Sequence, residues 1–295
     1  MVKFISESIR QGRILVSDGA WGTQLIEKGL GNGECPESWN LTHRNIVLSI
    51  AKAYVDAEAD IIETNSFGAN RIKLARYGLA EKTVELNTTA AAISREAAGR
   101  DQIVLGSIGP TGKMLMTGET TEEEMYEAFR EQAMALEAGG ADAICIETMS
   151  ALDEALIAVS AVRANTRIEI ACTFTFEKTA AAGYRTMMGV RPSNIVGPLI
   201  DAGADIIGTN CGNGMERMIQ IVSELRALSS DIPILVHANA GLPVLVDGNT
   251  VFPETPEEMA CFVPDLVRAG ANVIGGCCGT TPEHIRALVR AVRSL

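Results

Sequence analysis

Three cysteines in two glycine-rich segments are the residues of this chain best suited to metal chemistry. Cys277 and Cys278 are adjacent in a Gly-Gly-Cys-Cys-Gly segment, and Cys211 lies in a Thr-Asn-Cys-Gly segment. Each segment follows an apolar run that is typical of a buried strand. Three thiolates on Zn²⁺ leave the fourth tetrahedral position open, and a thiol that binds there loses its proton and becomes a nucleophile at neutral pH. This pattern indicates alkyl transfer to sulfur.

Two plainer interpretations of these cysteines compete with an open metal site: buried packing residues and a structural zinc. Cysteine packs as a small hydrophobic residue, and a structural zinc normally has four protein ligands. Adjacent residues of a straight strand point to opposite faces, but the flanking glycines let the backbone bend, so we favour the metal site. His284 is the best candidate for a fourth ligand, although its place in a predicted helix favours a surface or helix-terminus role. We expect the other cysteines to be buried packing residues: Cys35, Cys145, Cys172 and Cys261.

The composition is that of an acidic globular protein. The chain has 295 residues, of which 47% are apolar and 21% charged, and its formal net charge is −12. The negative charge disfavours nucleic acid and anionic membrane surfaces as partners, and no apolar stretch reaches the about 20 residues that a membrane span needs. The N-terminus lacks a secretory signal pattern, and seven cysteines do not form an even disulfide framework. We therefore expect a cytoplasmic protein.

Eight short apolar runs alternate with helical patterns along the whole chain. The runs are apolar on both faces, as expected for parallel strands covered by helices; they span residues 14–17, 60–64, 103–107, 143–147, 168–175, 206–209, 234–237 and 272–276. Helical patterns span residues 45–57, 80–98, 151–164, 191–202, 215–228, 256–269 and 282–294, and another begins at Thr121. The alternation predicts the α/β class and a single-domain (β/α)₈ TIM barrel over residues 1–295. A doubly wound open sheet is the alternative.

Four segments share a cadence in which a helix ends, the chain turns and a strand begins. They are DAEAD, EAGGAD, DAGAD and RAGAN, beginning at residues 56, 137, 201 and 268. In a barrel the catalytic groups lie where the strands end. In this chain the predicted strand ends are polar, reactive or glycine-rich almost without exception, whereas the strand starts are not. This asymmetry favours an enzyme.

Six segments together carry a family resemblance. They are DGAWGTQL from Asp18, ETNSFGAN from Glu63, GSIGPTG from Gly106, GTNCG from Gly208, HANAGLP from His237 and GGCCGTTP from Gly275. With these segments the chain resembles the homocysteine S-methyltransferase family, and most of all the homocysteine-binding domain of cobalamin-dependent methionine synthase. The match covers nearly the whole chain, and the double-cysteine segment is highly specific. The resemblance implies a (β/α)₈ barrel with Zn²⁺ on Cys211, Cys277 and Cys278, and homocysteine bound to the zinc through its sulfur.

The resemblance also implies a set of substrate contacts. Asp18 and Glu147 match positions near the amino acid, where they would accept hydrogen bonds from the substrate ammonium. The plainer alternative for Asp18 is a turn or cap residue. For Glu147 it is a cap-like contact to the next helix, and without the resemblance that alternative and a functional role are about equally favoured. The remaining implied or candidate contacts are Thr64, Asn65 and Phe67 in the pocket wall and Asn210 and Asn239 as polar residues that orient the substrate. We expect Ser66 and Asn70 to be turn and cap residues, and Trp21 and Trp39 to be packing residues.

The methyl donor is left open by these observations. Full methionine synthase carries further modules for folate, cobalamin and reactivation, and this sequence of 295 residues ends just after the eighth predicted helix. The expected function is therefore methylation of homocysteine to methionine with a separate methyl-corrinoid protein, bearing methylcobalamin, as the donor. One alternative is a small sulfonium or betaine-type donor, but only 4% of the residues are the aromatic types that favour cation binding. Another is a non-catalytic subunit that binds a thiol or a corrinoid partner.

One loop bears on how a donor would reach the site. Residues 183–190, after the fifth predicted strand, either form a loop over the mouth of the barrel or a plain loop packed by its methionines.

Overall fold

Eight parallel strands form a closed barrel. The computed structural model describes residues 4–100, 102–179, 183–246 and 248–295. The strands are β1 (Leu15–Val16), β2 (Ile61–Glu63), β3 (Ile103–Ile108), β4 (Ala143–Met149), β5 (Glu169–Phe174), β6 (Ile206–Asn210), β7 (Ile234–Ala238) and β8 (Val273–Gly276). Neighbours in the chain are neighbours in the sheet, β8 pairs with β1, and a bridge between Ser17 and Ile61 joins β1 to β2. The predicted (β/α)₈ TIM barrel is confirmed, because an open doubly wound sheet would leave two unpaired edges.

Eight helices surround the barrel, one after each strand. They are α1 (Arg44–Asp56), α2 (Thr83–Ala98), α3 (Glu122–Ala138), α4 (Leu152–Asn165), α5 (Pro192–Ala202), α6 (Met215–Arg226), α7 (Val263–Ala269) and α8 (Pro282–Arg293). Shorter helices span Ile5–Arg10, Gly22–Glu27, Trp39–Thr42, Arg71–Leu74 and Pro256–Cys261, and single 3₁₀ turns span Pro36–Ser38, Ala75–Tyr77, Ala80–Lys82 and Leu115–Thr117. Two small hairpins pair Glu177–Lys178 with Tyr184–Arg185 and Val244–Val246 with Asn249–Val251. No helix of the described ranges is long and apolar enough to cross a membrane.

The prediction of one continuous helix over residues 256–269 is wrong. It is divided into Pro256–Cys261 and α7, with Phe262 between them. Pro264 explains the break, because its ring is compatible with the first turn of a helix but not with the continuation of one. The start of α3 follows the sequence pattern, since Thr121 forms a reciprocal capping box with Glu124.

The four segments with a shared cadence lead into the even-numbered strands. Each places one acceptor side chain immediately before or at the start of such a strand: Asp60, Asp142, Asp205 and Asn272. Each acceptor receives a hydrogen bond of 2.9–3.0 Å from a backbone N–H of the preceding odd-numbered strand, donated by Val16, Val104, Ile170 and Ile234. An arginine donates to the same four side chains: Arg13, Arg95, Arg163 and Arg226. The same side-chain hydrogen bond therefore joins the strands in four pairs at the amino end of the barrel.

The short N-terminal helix Ile5–Arg10 closes the amino end of the barrel. Ile5 is fully buried and packs with apolar residues of the barrel interior, such as Leu15 and Val273. Glu169, at the start of β5, accepts a hydrogen bond of 3.1 Å from the Ser6 N–H and a further one from the Ile5 N–H. Because this end is plugged, a ligand can enter the barrel only at the carboxyl ends of the strands, which is where barrel enzymes carry their sites.

Candidate metal centre and substrate cavity

The three cysteines singled out in the sequence come together at the carboxyl end of the barrel. Cys211 directly follows β6, and Cys277 and Cys278 directly follow β8. The Cys278 sulfur lies 3.8 Å from that of Cys211 and 4.0 Å from that of Cys277, and all three lie within 4.8 Å of one another. Thiolates bound to one tetrahedral zinc at about 2.3 Å are about 3.8 Å apart, so the spacing fits a single ion. Their role as zinc ligands stays a prediction.

The backbone around these cysteines is shaped to aim their sulfurs. Cys211 has a φ of +58°, a left-handed conformation that residues other than glycine adopt rarely, and its N–H donates to the His237 carbonyl at 2.9 Å. Before the cysteine pair, a Cβ on Gly276 would lie only 2.3 Å from Thr280 Oγ1. Glycine is therefore needed there so that Thr280 can pack against the end of β8, where its Oγ1 donates to the Cys277 carbonyl at 2.8 Å. The left-handed conformation of Cys211 and the close approach of Thr280 to Gly276 shape the two segments that carry the sulfurs.

Without a metal ion, the three cysteines differ in how readily they ionise, and Cys211 is the one that favours the thiolate form. The pKa of Cys211 is lowered to about 3, first because the thiols of Cys277 and Cys278 donate hydrogen bonds to its sulfur. The pKa values of Cys277 and Cys278 are raised, first because their hydrogen bonds to Cys211 favour the protonated form. A divalent cation would supply the positive charge that lets all three ionise, and its binding would release protons. The donor set fits Zn²⁺.

A cavity of about 270 Å³ opens beside the sulfurs. Its wall contains four of the predicted substrate contacts, Thr64, Asn65, Phe67 and Glu147, together with the three cysteines. The other three predicted contacts, Asp18, Asn210 and Asn239, are outside this lining and are 1%, 0% and 3% exposed. The structure thus gathers all of them at one end of the barrel, some in the wall and some behind it.

Asn210 is the residue that holds Glu147. Its Nδ2 donates to Glu147 Oε2 at 3.2 Å, and its Oδ1 accepts from the Thr148 N–H at 2.8 Å and from Thr173 Oγ1 at 2.7 Å. Ser107 Oγ donates to the other oxygen of Glu147. Burial raises the pKa of Glu147 to about 7. Because the Asn210 amide is fully used, it orients a substrate only through Glu147.

Asp18 lies beneath the cavity and is bonded to its wall. Asp18 Oδ2 accepts hydrogen bonds from Trp21 Nε1 at 3.0 Å and from the Glu63 N–H at 2.8 Å. Burial, and to a smaller extent the nearby charge of Glu147, raises the pKa of Asp18 to about 7. Trp21 lines the cavity and has this polar contact, so the expectation of a packing residue describes it incompletely.

The wall residues after β2 are themselves held by the protein. Thr64 Oγ1 accepts from the Ser107 N–H at 3.0 Å, and Asn65 Nδ2 donates to the Pro36 carbonyl at 2.9 Å. The Phe67 ring has the Lys73 ammonium 4.6 Å from its centroid. These contacts make the wall rigid and leave Thr64 Oγ1 and Asn65 Nδ2 little freedom to bind a ligand.

Glu63 and His237 are among the wall residues that were not singled out from the sequence. Both line the cavity, and Glu63 Oε1 and His237 Nε2 are buried without a hydrogen-bond partner in the described part of the chain. Burial raises the pKa of Glu63 well above its usual range, and burial lowers that of His237 to about 4, which leaves the imidazole neutral. Their signal in the sequence was the position at a predicted strand end. Asn239 Oδ1 is similarly buried and without a partner.

The structure also tests the predictions made for His284, for the cysteines outside the cluster, for the methionine-containing loop and for Asn70. His284 is buried: its Nδ1 accepts from the Thr281 N–H at 3.2 Å and its Nε2 contacts the Glu254 carbonyl at 2.9 Å. The predicted helix-terminus role is confirmed, and the alternative of a surface residue is wrong. Cys261 is exposed, so the expectation that it is buried was wrong, whereas the other three non-cluster cysteines are buried. Met187 is 86% exposed, which contradicts a loop packed by its methionines. Asn70 caps the helix Arg71–Leu74, as expected.

The chain is similar to known proteins of one family. A family model described as homocysteine S-methyltransferase matches residues 15–292. The methionine synthases of Mycobacterium tuberculosis and Mycobacterium leprae are 36% and 35% identical to the chain over 303 and 300 aligned residues; the alignments cover 96% and 95% of this chain but 25% and 24% of those proteins. The chain therefore spans about a quarter of the length of the curated relatives it matches.

A solved structure supports the fold. The metallated form of the homocysteine methyltransferase MmuM from Escherichia coli superposes with a TM-score of 0.79 at 24% identity, over 96% of this chain and 97% of that one. At this identity the likeness speaks for the barrel and not for its chemistry.

Proposed function

Because the chain belongs to the homocysteine S-methyltransferase family, we propose that it methylates the sulfur of homocysteine, bound on zinc, to give methionine. Cys211, Cys277 and Cys278 are the proposed zinc ligands. The observation that carries the proposal is the cluster of three sulfurs within 4.8 Å of one another in the wall of a cavity that also contains carboxylates. One end of this cavity suits a thiol and the other an ammonium group.

The proposed chemistry divides between the metal and the side chains. Bound zinc would lower the pKa of the substrate thiol and leave a fourth position for its sulfur. The three cysteine thiolates contribute three negative charges, which would keep that sulfur electron-rich and nucleophilic. In the same proposal Glu147, held by Asn210 and Ser107, and Asp18 beneath it attract the substrate ammonium.

The remaining predicted contacts have supporting parts in this proposal. Thr64, Asn65 and Phe67 would shape the wall around the carbon chain of the substrate, because they line the cavity and are fixed by protein contacts. Asn239 would orient groups near the metal, since a hydrogen bond from it helps to lower the pKa of Cys211.

The donor in this proposal is a methyl-corrinoid protein that carries methylcobalamin. The similarity to methionine synthases at 36% identity supports it. So does the hairpin strand Val244–Val246, which follows β7 and leaves its three apolar side chains 43%, 77% and 48% exposed. Phe252, just beyond that hairpin, packs beside Gly279, so the apolar surface is close to the cysteine pair. A protein donor would find such a surface at the mouth of the barrel.

A donor panel with homocysteine held constant tests the function. Zinc-loaded protein is incubated with methylcobalamin, with a sulfonium donor or with a betaine, and the product is identified by its mass. We expect methionine from methylcobalamin, whereas methionine from a small donor alone would replace the corrinoid proposal. Zinc-loaded protein that binds homocysteine and gives no methionine with any donor would instead support a binding subunit.

The Cys277→Ala variant provides the control for the metal. It should lose zinc and turnover together while its circular dichroism spectrum stays native. Unchanged activity in that variant would refute the role of the metal.

The cellular setting is also a proposal. All seven cysteines are free thiols, which supports a reducing, cytoplasmic location. The net charge of −12 supports a protein that does not bind nucleic acid. We treat residues 1–295 as one homocysteine-binding unit.

A further inference from the structure

We propose that His284 is a positioning residue for the metal centre, because its imidazole ties the turn that carries Cys277 and Cys278 to the base of the neighbouring hairpin. The turn spans residues 277–280, and the hairpin base consists of Ala240 and Glu254, which flank the hairpin on either side. This inference rests on the zinc site proposed above and adds a residue that keeps two of its ligands in place. His284 lies in the first turn of α8 and is 7% exposed.

The two ring nitrogens of His284 have different partners. Nδ1 accepts a hydrogen bond from the Thr281 N–H at 3.2 Å, which requires that Nδ1 carry no proton. The ring proton is then on Nε2, which lies 2.9 Å from the Glu254 carbonyl oxygen. Nε2 is therefore the donor to Glu254, and one imidazole links the start of α8 to the segment that returns from the hairpin.

This link closes a ring of four hydrogen bonds beside the cysteine pair. The Ala240 N–H donates to the Cys278 carbonyl at 3.0 Å, and the Glu254 N–H donates to the Ala240 carbonyl at 3.1 Å. His284 makes the other two bonds, to Glu254 and to Thr281. Because Thr281 lies in the chain just after the turn that contains Cys278, the backbone completes the ring. Only the two bonds of His284 depend on a side chain.

The hairpin base also packs closely against the turn. A Cβ on Gly279 would overlap the side chain of Phe252, and a Cβ on Gly241 would lie 3.1 Å from that of Glu254. Beyond this base the first hairpin strand, Val244–Val246, is exposed along its length. Loss of the Nε2 bond would therefore loosen the hairpin base and the turn together.

The spacing of the two adjacent sulfurs depends on the shape of this turn. The Cys277 and Cys278 sulfurs lie 4.0 Å apart, although adjacent residues of a straight strand point to opposite faces. Contacts outside the ligand set that orient the ligands change metal affinity. A turn that moves freely must become ordered when the ion binds, and that ordering weakens the binding.

Two substitutions of His284 separate the effects of the two ring nitrogens. His284→Asn keeps an acceptor for the Thr281 N–H, as Asn194 does at the same position of α5, where its Oδ1 accepts from the Arg191 N–H at 3.3 Å. Its side chain is too short to supply the donor to Glu254. His284→Gln has an amide nitrogen in the place of Nε2 and can still donate to Glu254.

The test measures the zinc affinity of the full chain by competition with chelators. His284→Asn should bind zinc about 3- to 10-fold more weakly than the wild type, which is the effect of one hydrogen bond, and His284→Gln should stay within about twofold. In the zinc-free protein, amide hydrogen exchange over residues 252–255 and 277–281 should become faster in His284→Asn and not in His284→Gln. Thr121→Ala removes the helix cap of α3, outside the ring, and should leave zinc affinity unchanged.

The other results count against a stated idea. A loss of zinc affinity in His284→Gln as large as that in His284→Asn assigns the effect to the packing of the ring and overturns the role of Nε2. Unchanged affinity in both variants overturns it, as does a loss without faster exchange or an equal loss in Thr121→Ala.

The tautomer of His284 decides the question if His284→Asn does not fold. Nitrogen-15 chemical shifts of the wild-type ring should show a proton on Nε2 and none on Nδ1, and the opposite tautomer overturns the inference. Wild type that binds no zinc overturns the proposed function, whereas zinc-binding wild type with two indifferent variants overturns this inference alone.

Discussion

Replacing Cys211 by alanine should weaken zinc binding by about two to three powers of ten. Its sulfur lies 3.8 Å from that of Cys278, the spacing expected for two ligands of one ion. Four-ligand zinc sites in small domains bind with about 10–16 kcal/mol, or about 2.5–4 kcal/mol for each ligand. With about 1.4 kcal/mol per tenfold change, the loss of one thiolate gives the stated range.

The variant should keep its fold. The Cys211 N–H bond to the His237 carbonyl does not involve the side chain, and the left-handed φ of +58° is equally strained for cysteine and alanine. The removed sulfur is only partly buried, so the cavity it leaves is open to water. A loss of zinc would then report the metal site and not a collapse of the barrel.

The assay is competition between the zinc-loaded protein and a series of chelators of graded affinity, read as zinc transferred at equilibrium. Cys172→Ala is the matched control, because Cys172 is a fully buried cysteine of β5 outside the cluster. It should keep the wild-type zinc affinity. A Cys211→Ala protein whose affinity stays within threefold of the wild type, or a Cys172→Ala protein that loses as much, would refute the assignment of the three sulfurs to one ion.

Three further outcomes are expected. Asn210→Ala should lower the free energy of unfolding by about 2–3 kcal/mol and raise the KM for homocysteine, because Glu147 and a backbone N–H lose their partner. Asp205→Ala should lower the free energy of unfolding by about 1–2 kcal/mol with kcat unchanged, because its hydrogen bonds are at the closed end of the barrel. In the metal-free protein, Asp18 should contribute a loss of stability as the pH rises from 3.8 to about 7, since the folded state holds a proton on Asp18 that the unfolded chain releases; Glu63→Gln should remove a second contribution of the same sign, because the buried Glu63 carboxyl group also keeps a proton that the unfolded chain releases.

These outcomes have their own controls. Urea denaturation monitored by circular dichroism gives the free energies, and Asp265→Ala, in an exposed ion pair of α7, should change them little. Zinc retention in Asn210→Ala is checked because a loss of metal would give a different reason for a raised KM. A metal-free Glu63→Gln protein whose stability changes with pH just as the wild type does would contradict the raised pKa of the Glu63 carboxyl group.

Much of the barrel could be predicted from the sequence because its signals are local. A run of apolar residues such as those of β6, followed by glycine and polar residues, identifies a buried strand and its carboxyl end without knowledge of its neighbours. The order of eight such runs with helices between them leaves few topologies, and the comparisons confirm the family that six short segments indicated. The division of the helix predicted over residues 256–269 was missed, although Pro264 carried the signal.

The functional end of the barrel was predictable only in part. The three cysteines stood out by residue type and by their glycine-rich settings, which are properties of the sequence alone. The sequence could not show which carboxyl groups are free, because that depends on donors far away in the chain. Asp18 has one Oδ2 acceptor bond from a residue 45 positions later, and Glu147 is held by an asparagine 63 positions later.

Local sequence patterns therefore determined the order of the eight barrel strands and of the helices around them, the strand ends at which chemistry could occur and the presence of three thiols there, since each depends on neighbours a few residues apart. Tertiary structure alone decided that the sulfurs lie within 4.8 Å of one another, that Asp18 is bonded beneath the cavity and that Glu63 keeps an unpaired oxygen. The physical reason is that hydrogen-bond partners and burial are set when distant strands close into a barrel, and no local pattern of residues encodes which donor reaches which acceptor.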